Sequence, residues 1–184
     1  KAPTGTGKTC AFGIPVAEHI DPEKKYPQAV IMAPTRELAQ QIAEELTELT
    51  YFMPEVQVAC VYGGANMEKQ ARRLAEGCQI VVATPGRLMD HYKHHSIDLA
   101  HVTQVVLDEA DEMLNMGFYK DVRHIIELMK ARKSLSMFSA TISREVMDIG
   151  WLYQNNAEEI TVQPREKSQP KITQYMLETS GRNK

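Results

Sequence analysis

The sequence predicts an α/β fold, a mostly parallel central sheet with helices on both faces. Three observations carry that expectation. Short, uninterrupted β-branched runs recur along the chain, stretches with helical apolar spacing lie between them, and small, polar or charged residues follow the runs. An all-apolar strand needs cover on both faces, and parallel neighbours need a crossover connection, so the alternation of these elements implies a doubly covered sheet. Ligands of such sheets sit outside the carboxyl ends of the strands, which makes the residues after each run the place to look for chemistry.

The first element is Ala2-Pro3-Thr4-Gly5-Thr6-Gly7-Lys8-Thr9, ahead of an apolar stretch, Cys10 to Val16, suited to a helix. This is the pattern of a phosphate-binding loop, with Ala2 standing where the general pattern has its first glycine. Gly5 and Gly7 let the backbone curl so that successive N–H groups face phosphate oxygens, aided by the positive end of the helix dipole. In that pattern Lys8 reaches the β and γ phosphates and the Thr9 hydroxyl ligates magnesium. The run Ala29 to Met32 follows, then Pro34-Thr35-Arg36-Glu37-Leu38, and Leu38, Ile42, Leu46 and Leu49 recur at helical steps. Val58 to Tyr62 leads into Gly63-Gly64. Ile80 to Ala83 leads into Thr84-Pro85-Gly86-Arg87, a capping hydroxyl before a proline at the first helical position. Each of these three strand ends offers a hydroxyl, an exposed N–H or an arginine, chemistry suited to a sugar-phosphate backbone rather than to base edges. Ordinary caps and turns use the same residues.

Val105 to Leu107 ends in Asp108-Glu109-Ala110-Asp111. Acids at the tip of a buried strand cost solvation unless a cation or substrate uses them. Asp108 suits a magnesium ion carried by a nucleoside triphosphate, and Glu109 can then orient and deprotonate a water for attack on the γ phosphate. Acids at a helix start also favour the dipole without any ligand. Leu135 to Phe138 leads into Ser139-Ala140-Thr141, two hydroxyls able to bond the acids of the neighbouring strand end. The last strand expected is Ile160 to Val162.

Composition bounds the rest. The chain has 184 residues, 43% hydrophobic and 24% charged, room for one core and a short appendage. No apolar run approaches the length of a membrane helix, and Lys1 to Lys8 hold no signal-peptide core, so a cytoplasmic location is expected. Cys10, Cys60 and Cys78 lack metal or disulfide spacing and read as buried free thiols. His91, His94 and His95 read as a solvated helix end, Met113 and Met116 as core, and Trp151 and Tyr153 as core or interdomain packing. The net charge of −3 is uneven: residues 163–184 carry five basic and two acidic groups, leaving −6 on the remainder. With Pro164, Pro170 and Ser180-Gly181 this stretch reads as a linker, and Ile172 to Leu177 as the first strand of a neighbouring domain.

In this order, A-P-T-G-T-G-K-T, P-T-R-E-L-A, G-G, T-P-G-R, D-E-A-D and S-A-T resemble the first RecA-like domain of a DEAD-box ATP-dependent RNA helicase, over nearly the whole chain. A phosphate loop is common to many ATPases; the literal D-E-A-D with S-A-T and P-T-R-E-L-A is specific. Ser143 to Ile149 leans the resemblance towards a bacterial member. It implies a RecA-like P-loop domain over residues 1–163, its first strand and adenine-reading glutamine element lying before Lys1, and at 164–184 the linker and start of a second RecA-like domain that supplies arginine fingers. It implies ATP and Mg2+ as cofactors: Thr4, Gly5, Thr6, Gly7, Lys8 and Thr9 on the nucleotide, Thr9 and Asp108 on the metal, and Glu109 as catalytic base with Lys8 and Asp108. RNA backbone falls to Pro34, Thr35, Arg36, Gly64, Thr84, Pro85, Gly86 and Arg87, and coupling of hydrolysis to strand separation to Ser139 and Thr141 through Asp108 and Asp111. The implied activity is ATP-driven melting of short RNA duplexes with little sequence specificity; the alternative is an ATP-gated RNA clamp or assembly scaffold with slow turnover. Implied partners are RNA, the second domain and ribosomal, RNA-decay or other ribonucleoprotein factors, with no membrane.

Overall fold

A computed structural model describes residues 7–162. Its centre is a five-stranded, all-parallel sheet in the order β2-β3-β1-β4-β5, formed by β1 (Ala29–Met32), β2 (Val58–Val61), β3 (Ile80–Ala83), β4 (Gln104–Leu107) and β5 (Ser134–Met137). The helices are α1 (Lys8–Glu18), α2 (Arg36–Leu49), α3 (Met67–Ala75), α4 (Pro85–Lys93), α5 (Ala110–Met113), α6 (Tyr119–Leu128) and α7 (Arg144–Tyr153). Between α5 and α6 a wide helical turn, Leu114–Phe118, breaks at Gly117, whose φ of +90° a side chain would strain.

The period-two alternation of each strand sorts its residues between two cores. Ala29, Ile31, Ile80, Val82 and Val106 face α1 and α2, packing on Phe12, Val16, Ile42 and Leu46. Val30, Met32, Val81, Val105 and Leu107 face the opposite layer, packing on Leu74, Leu88, Ile125, Ile126 and Ile149. The central strand β1 is buried at every residue, as a strand covered on both faces must be. Helix starts follow local chemistry: Thr35, Asn66 and Ser143 accept bonds from the N–H groups of Leu38, Lys69 and Val146. Thr84 occupies the cap position of α4 ahead of Pro85, but its hydroxyl makes no capping bond, contrary to expectation.

Other expectations are corrected. Residues 160–162 form no strand; Ile160 and Val162 are exposed and lie beside the edge strand β5 without joining the sheet. Apolar alternation makes a residue fit for a strand but does not by itself place it in the ladder. His91 is fully buried, unlike His94 and His95. Met113 is core, yet Met116 is exposed; Trp151 is exposed too, which removes the core alternative and leaves the interdomain one, while Tyr153 packs against the core. Of the three free thiols only Cys78 is buried; Cys10 is exposed and Cys60 half-buried. Burial pushes the Cys60 thiol up to about 12 and that of Cys78 up to about 11, so neither is a reactive thiolate. No strand precedes α1 among the described residues, and the expected boundary at 163/164 lies outside them.

Ile31 sits at 0% exposure in the middle of the central strand. Ile31→Ala is expected to cost about 2–5 kcal/mol in urea unfolding, and Ile14→Ala, on the exposed side of α1, under about 0.5. Equal losses would contradict the layering.

Candidate functional site

All strands run the same way, so their carboxyl ends share one rim. Backbone bonds carry the ladder one step beyond β1, β3, β4 and β5: Ala33 N–H to Ala83 O at 3.0 Å, Thr84 N–H to Val61 O at 3.1 Å, Asp108 N–H to Met32 O at 2.9 Å and Phe138 N–H to Leu107 O at 2.8 Å. The first residues of these four loops are therefore held level with their neighbours.

Asp108 is 2% exposed, and the Lys8 ammonium donates to its Oδ1 at 3.2 Å, from a side chain itself largely buried. This joins the phosphate-loop helix to the tip of β4, a hundred residues away in sequence. Losing either partner would strand a desolvated charge, whereas the pair itself is nearly neutral in stability. The next residue, Glu109, has φ +49° and ψ +50°, a left-handed conformation that costs a non-glycine residue about 1 kcal/mol. Its N–H donates to Asp108 Oδ1 at 3.0 Å, and its half-buried carboxylate has no protein partner among the described residues.

Asp111 is the fixed acid of the group. Thr141 donates to its Oδ2 from both backbone N–H, at 2.8 Å, and hydroxyl, at 2.6 Å. The Asp111 N–H donates to Ser139 Oγ at 3.3 Å, and the Ser139 hydroxyl donates to Thr141 O at 2.5 Å. Burial by itself would raise the Asp111 pKa, but the bonds from Thr141 and Ser139 outweigh it and hold the carboxyl below its ordinary value. Ser139 and Thr141 thus meet Asp111, as the sequence suggests, while the partner of Asp108 is Lys8.

Thr4, Gly5 and Thr6 lie outside the described residues. Gly7, at φ +74°, opens α1, and Lys8 and Thr9 form its first turn, which carries no acid to offset the helix dipole. The Asp108 carboxylate and the Thr9 hydroxyl are hard oxygen donors of the kind magnesium takes. Among the described residues no cluster of three or more His, Cys, Asp or Glu side chains forms a metal cage. That donor set fits a magnesium ion held chiefly by phosphate oxygens and water.

The three loops on the other side of the rim have different characters. Thr35 spends its hydroxyl capping α2, at 3.2 Å from Leu38 N, and Arg36 is exposed. Gly64 is exposed with φ +82°. Thr84 and Pro85 are buried and Gly86 half-buried at the start of α4. Arg87 is mostly turned inward: one Nη1 donates to Ala65 O at 2.9 Å and to Gln70 Oε1 at 3.0 Å. Sequence reading passed over Gln70, took Tyr62 only as the end of a strand and read His91 as part of a solvated helix end; the three join these loops. The Arg36 guanidinium lies 5.5 Å over the Tyr62 ring, whose hydroxyl takes a bond from Gln40 Nε2 at 3.0 Å. One signal was present: Gln70 sits one helical turn before Leu74, on the buried face of α3.

The comparisons with known proteins bear on the same segments. The DEAD/DEAH box helicase family model matches residues 1–149. An ATP-dependent RNA helicase DeaD of Klebsiella pneumoniae is 43% identical over 183 residues, covering all of this chain and 28% of that protein. A DEAD-box ATP-dependent RNA helicase CshA of Geobacillus kaustophilus is 42% identical over 184 residues, again all of this chain and 39% of that protein. The chain thus spans about a third of the length of the curated bacterial relatives it matches. Among solved structures, a DEAD box protein of Methanococcus jannaschii superposes with a TM-score of 0.77 at 39% identity, covering 85% of this chain and 42% of that one. A hypothetical ATP-dependent RNA helicase of Sulfolobus tokodaii gives 0.78 at 38% identity, over 85% and 45%. These likenesses extend the architecture to known RecA-like domains. Since the family match runs through the phosphate-loop helix, the acids at the tip of β4 and the Ser139–Thr141 turn after β5, the chain belongs to the DEAD/DEAH box helicase family.

Proposed function

We propose that this chain is the ATP-binding, first RecA-like domain of an ATP-dependent RNA helicase, and that it grips RNA by its backbone while a second domain completes the motor. The observation that carries this reading is the juxtaposition of Lys8, Asp108 and Glu109 with the Asp111–Ser139–Thr141 knot on one rim. Lys8 orients the β and γ phosphates with Gly7 and the rest of the loop. Asp108 and Thr9 would hold a magnesium ion, which when bound would supply charge neutralisation to the triphosphate. Glu109, raised off the strand by its left-handed backbone, accepts a proton from the attacking water; the new P–O bond forms as the bond to the β–γ bridging oxygen breaks, leaving ADP and phosphate. The buried knot around Asp111 ties β4 to β5, so a change at the acids moves the Ser139–Thr141 turn with them. Arg36, Gly64 and the start of α4 hold phosphodiester groups, which explains weak sequence preference. Residues 164–184 are then the linker and the start of the second domain, and the site of action is the cytoplasm.

Glu109→Gln in the protein is expected to lower phosphate release by at least about a hundredfold with RNA present, while leaving the affinity for a fluorescent ATP analogue unchanged. Retained hydrolysis would remove Glu109 from its role as base. Tight RNA binding with negligible turnover of the unaltered protein would favour the clamp over the helicase.

The 184-residue chain by itself is expected to hydrolyse ATP at no meaningful rate and to separate no duplex, since this reading assigns the arginine fingers to the second domain. Robust RNA-stimulated hydrolysis by the chain alone would overturn that division of labour.

Asp111 makes a pH prediction. Its folded-state pKa lies below its unfolded value of about 3.9, so the ionised carboxylate stabilises the fold above that pH and the contribution fades as pH falls towards the folded value. Asp111→Asn should flatten the acid limb of the stability curve below about pH 4 in urea titrations; an unchanged limb would show that the contacts with Thr141 and Ser139 do not discriminate the charged form.

A further inference from the structure

The carboxamide of Gln70 stands where the loops after β2 and β3 meet, and every one of its polar atoms is used. Its Nε2 donates to Tyr62 O at 3.1 Å; its Oε1 accepts from Arg87 Nη1 at 3.0 Å and from His91 Nε2 at 3.0 Å. The orientation of the amide follows from its partners. A guanidinium only donates and a peptide carbonyl only accepts, so oxygen must face Arg87 and nitrogen Tyr62. It follows that His91 carries its proton on Nε2, leaving Nδ1 bare, and Nδ1 is indeed buried without a partner. Burial, with Arg87 beside it, keeps the His91 pKa below its ordinary value, consistent with a neutral ring.

The three bonds have a common destination. Tyr62 immediately precedes Gly63-Gly64, its ring lies under Arg36, and Arg87 reaches past Gln70 to Ala65 O at 2.9 Å on the far side of the glycines. A glycine pair on an exposed loop is free to wander. Here it is pinned on both flanks, at Tyr62 through Gln70 and at Ala65 through Arg87. A position on the buried face of α3 would suit Leu if only packing mattered; a Gln there is tolerable because both its amide nitrogen and its amide oxygen are hydrogen-bonded.

We propose that Gln70 is a positioning residue for the nucleic-acid grip: its amide, with His91 behind it, locks the Gly63-Gly64 loop and the Arg87 guanidinium into one preformed surface that also orders Tyr62 under Arg36. This rests on the RNA reading given above. Preorganisation lowers the ordering cost of binding, so the residue acts on affinity without touching RNA. It leaves the nucleotide side of the rim, at Lys8 and Asp108, untouched.

The test is a set of anisotropy titrations of the protein with fluorescein-labelled oligouridylate in the presence of a non-hydrolysable ATP analogue, beside separate titrations with a fluorescent nucleotide. Gln70→Met should weaken RNA binding about tenfold, the equivalent of one buried hydrogen bond, with nucleotide affinity held within about twofold. In an Arg87→Ala background it should weaken RNA binding less than about threefold further, because one of the two pins is already gone. Gln70→Glu, which keeps the acceptor for Arg87 and His91, should fall between wild type and Gln70→Met, and it carries the test if the Met variant does not fold. Full additivity with Arg87→Ala, parallel loss of nucleotide affinity, or RNA binding indifferent to both Gln70 variants would overturn the inference alone. A wild-type protein that binds no oligouridylate would overturn the RNA reading and this inference with it.

Discussion

In a sheet covered on both faces, polar groups have nowhere to go but the strand ends. The interior of β1 and β3 has no solvent on either side, and every residue there is apolar. Parallel pairing with the register Met32↔Ala83, Met32↔Leu107, Val61↔Ala83 and Leu107↔Met137 then brings five carboxyl ends to one level. Everything chemical in the molecule depends on that alignment. Acids from β4, hydroxyls after β5 and the loops after β1, β2 and β3 share a rim although up to about a hundred residues separate them in sequence.

The rim has two halves with different physics. On one side charge is concentrated and desolvated: Asp108 beneath Lys8, Glu109 in a strained conformation, and Asp111 held ionised by two donors from Thr141 against the cost of burial. Such an arrangement adds little to stability, because Coulombic gain and desolvation nearly cancel, and the left-handed turn subtracts from it. The core of packed Ile, Leu and Val side chains supplies the stability that this half spends. On the other side the groups are neutral amides, backbone N–H and carbonyl groups, glycines and two arginines, tied together through the Gln70 amide and the Arg87 Nη1, with Arg87 Nε and His91 Nδ1 buried without a hydrogen-bond partner.

What was legible in the sequence was whatever is local. Ala29 to Met32 and Ile80 to Ala83 match observed strands residue for residue, and three others are displaced by a residue at one or both ends, because β-branched runs bounded by polar residues encode both period and limit. The acids of Asp108–Asp111 and the hydroxyls of Ser139–Thr141 were visible because strand ends in a parallel sheet converge. Pairing and solvent exposure were not legible. Ile160 and Val162 have strand-forming side chains but sit outside the ladder; Met116 and Trp151 are apolar but face outward. Gln70 was passed over, and His91 read as solvated, for the opposite reason: a polar residue on a helix reads as surface until its buried partners are known, here Arg87 and the Tyr62 carbonyl for Gln70, and Gln70 itself for His91.

The net charge of −3 is compatible with a polyanionic partner once the two halves are separated. On the proposed reading the acids serve the nucleotide end, where bound magnesium and Lys8 offset them. At the other end α4 begins with no acid in its first turn, Pro85 at the position where an N–H would go unused, and a Thr84 hydroxyl not spent on capping. Its free N–H groups carry the positive end of a dipole that net charge does not count. Arg36 is the exposed cation among the named backbone contacts, since Arg87 is committed inward to Ala65 and Gln70. A grip built this way draws on shape and fixed dipoles more than on counterion release, so its strength depends on how rigidly the loops are held. That makes the buried amide of Gln70 as consequential for binding as any charge on the surface.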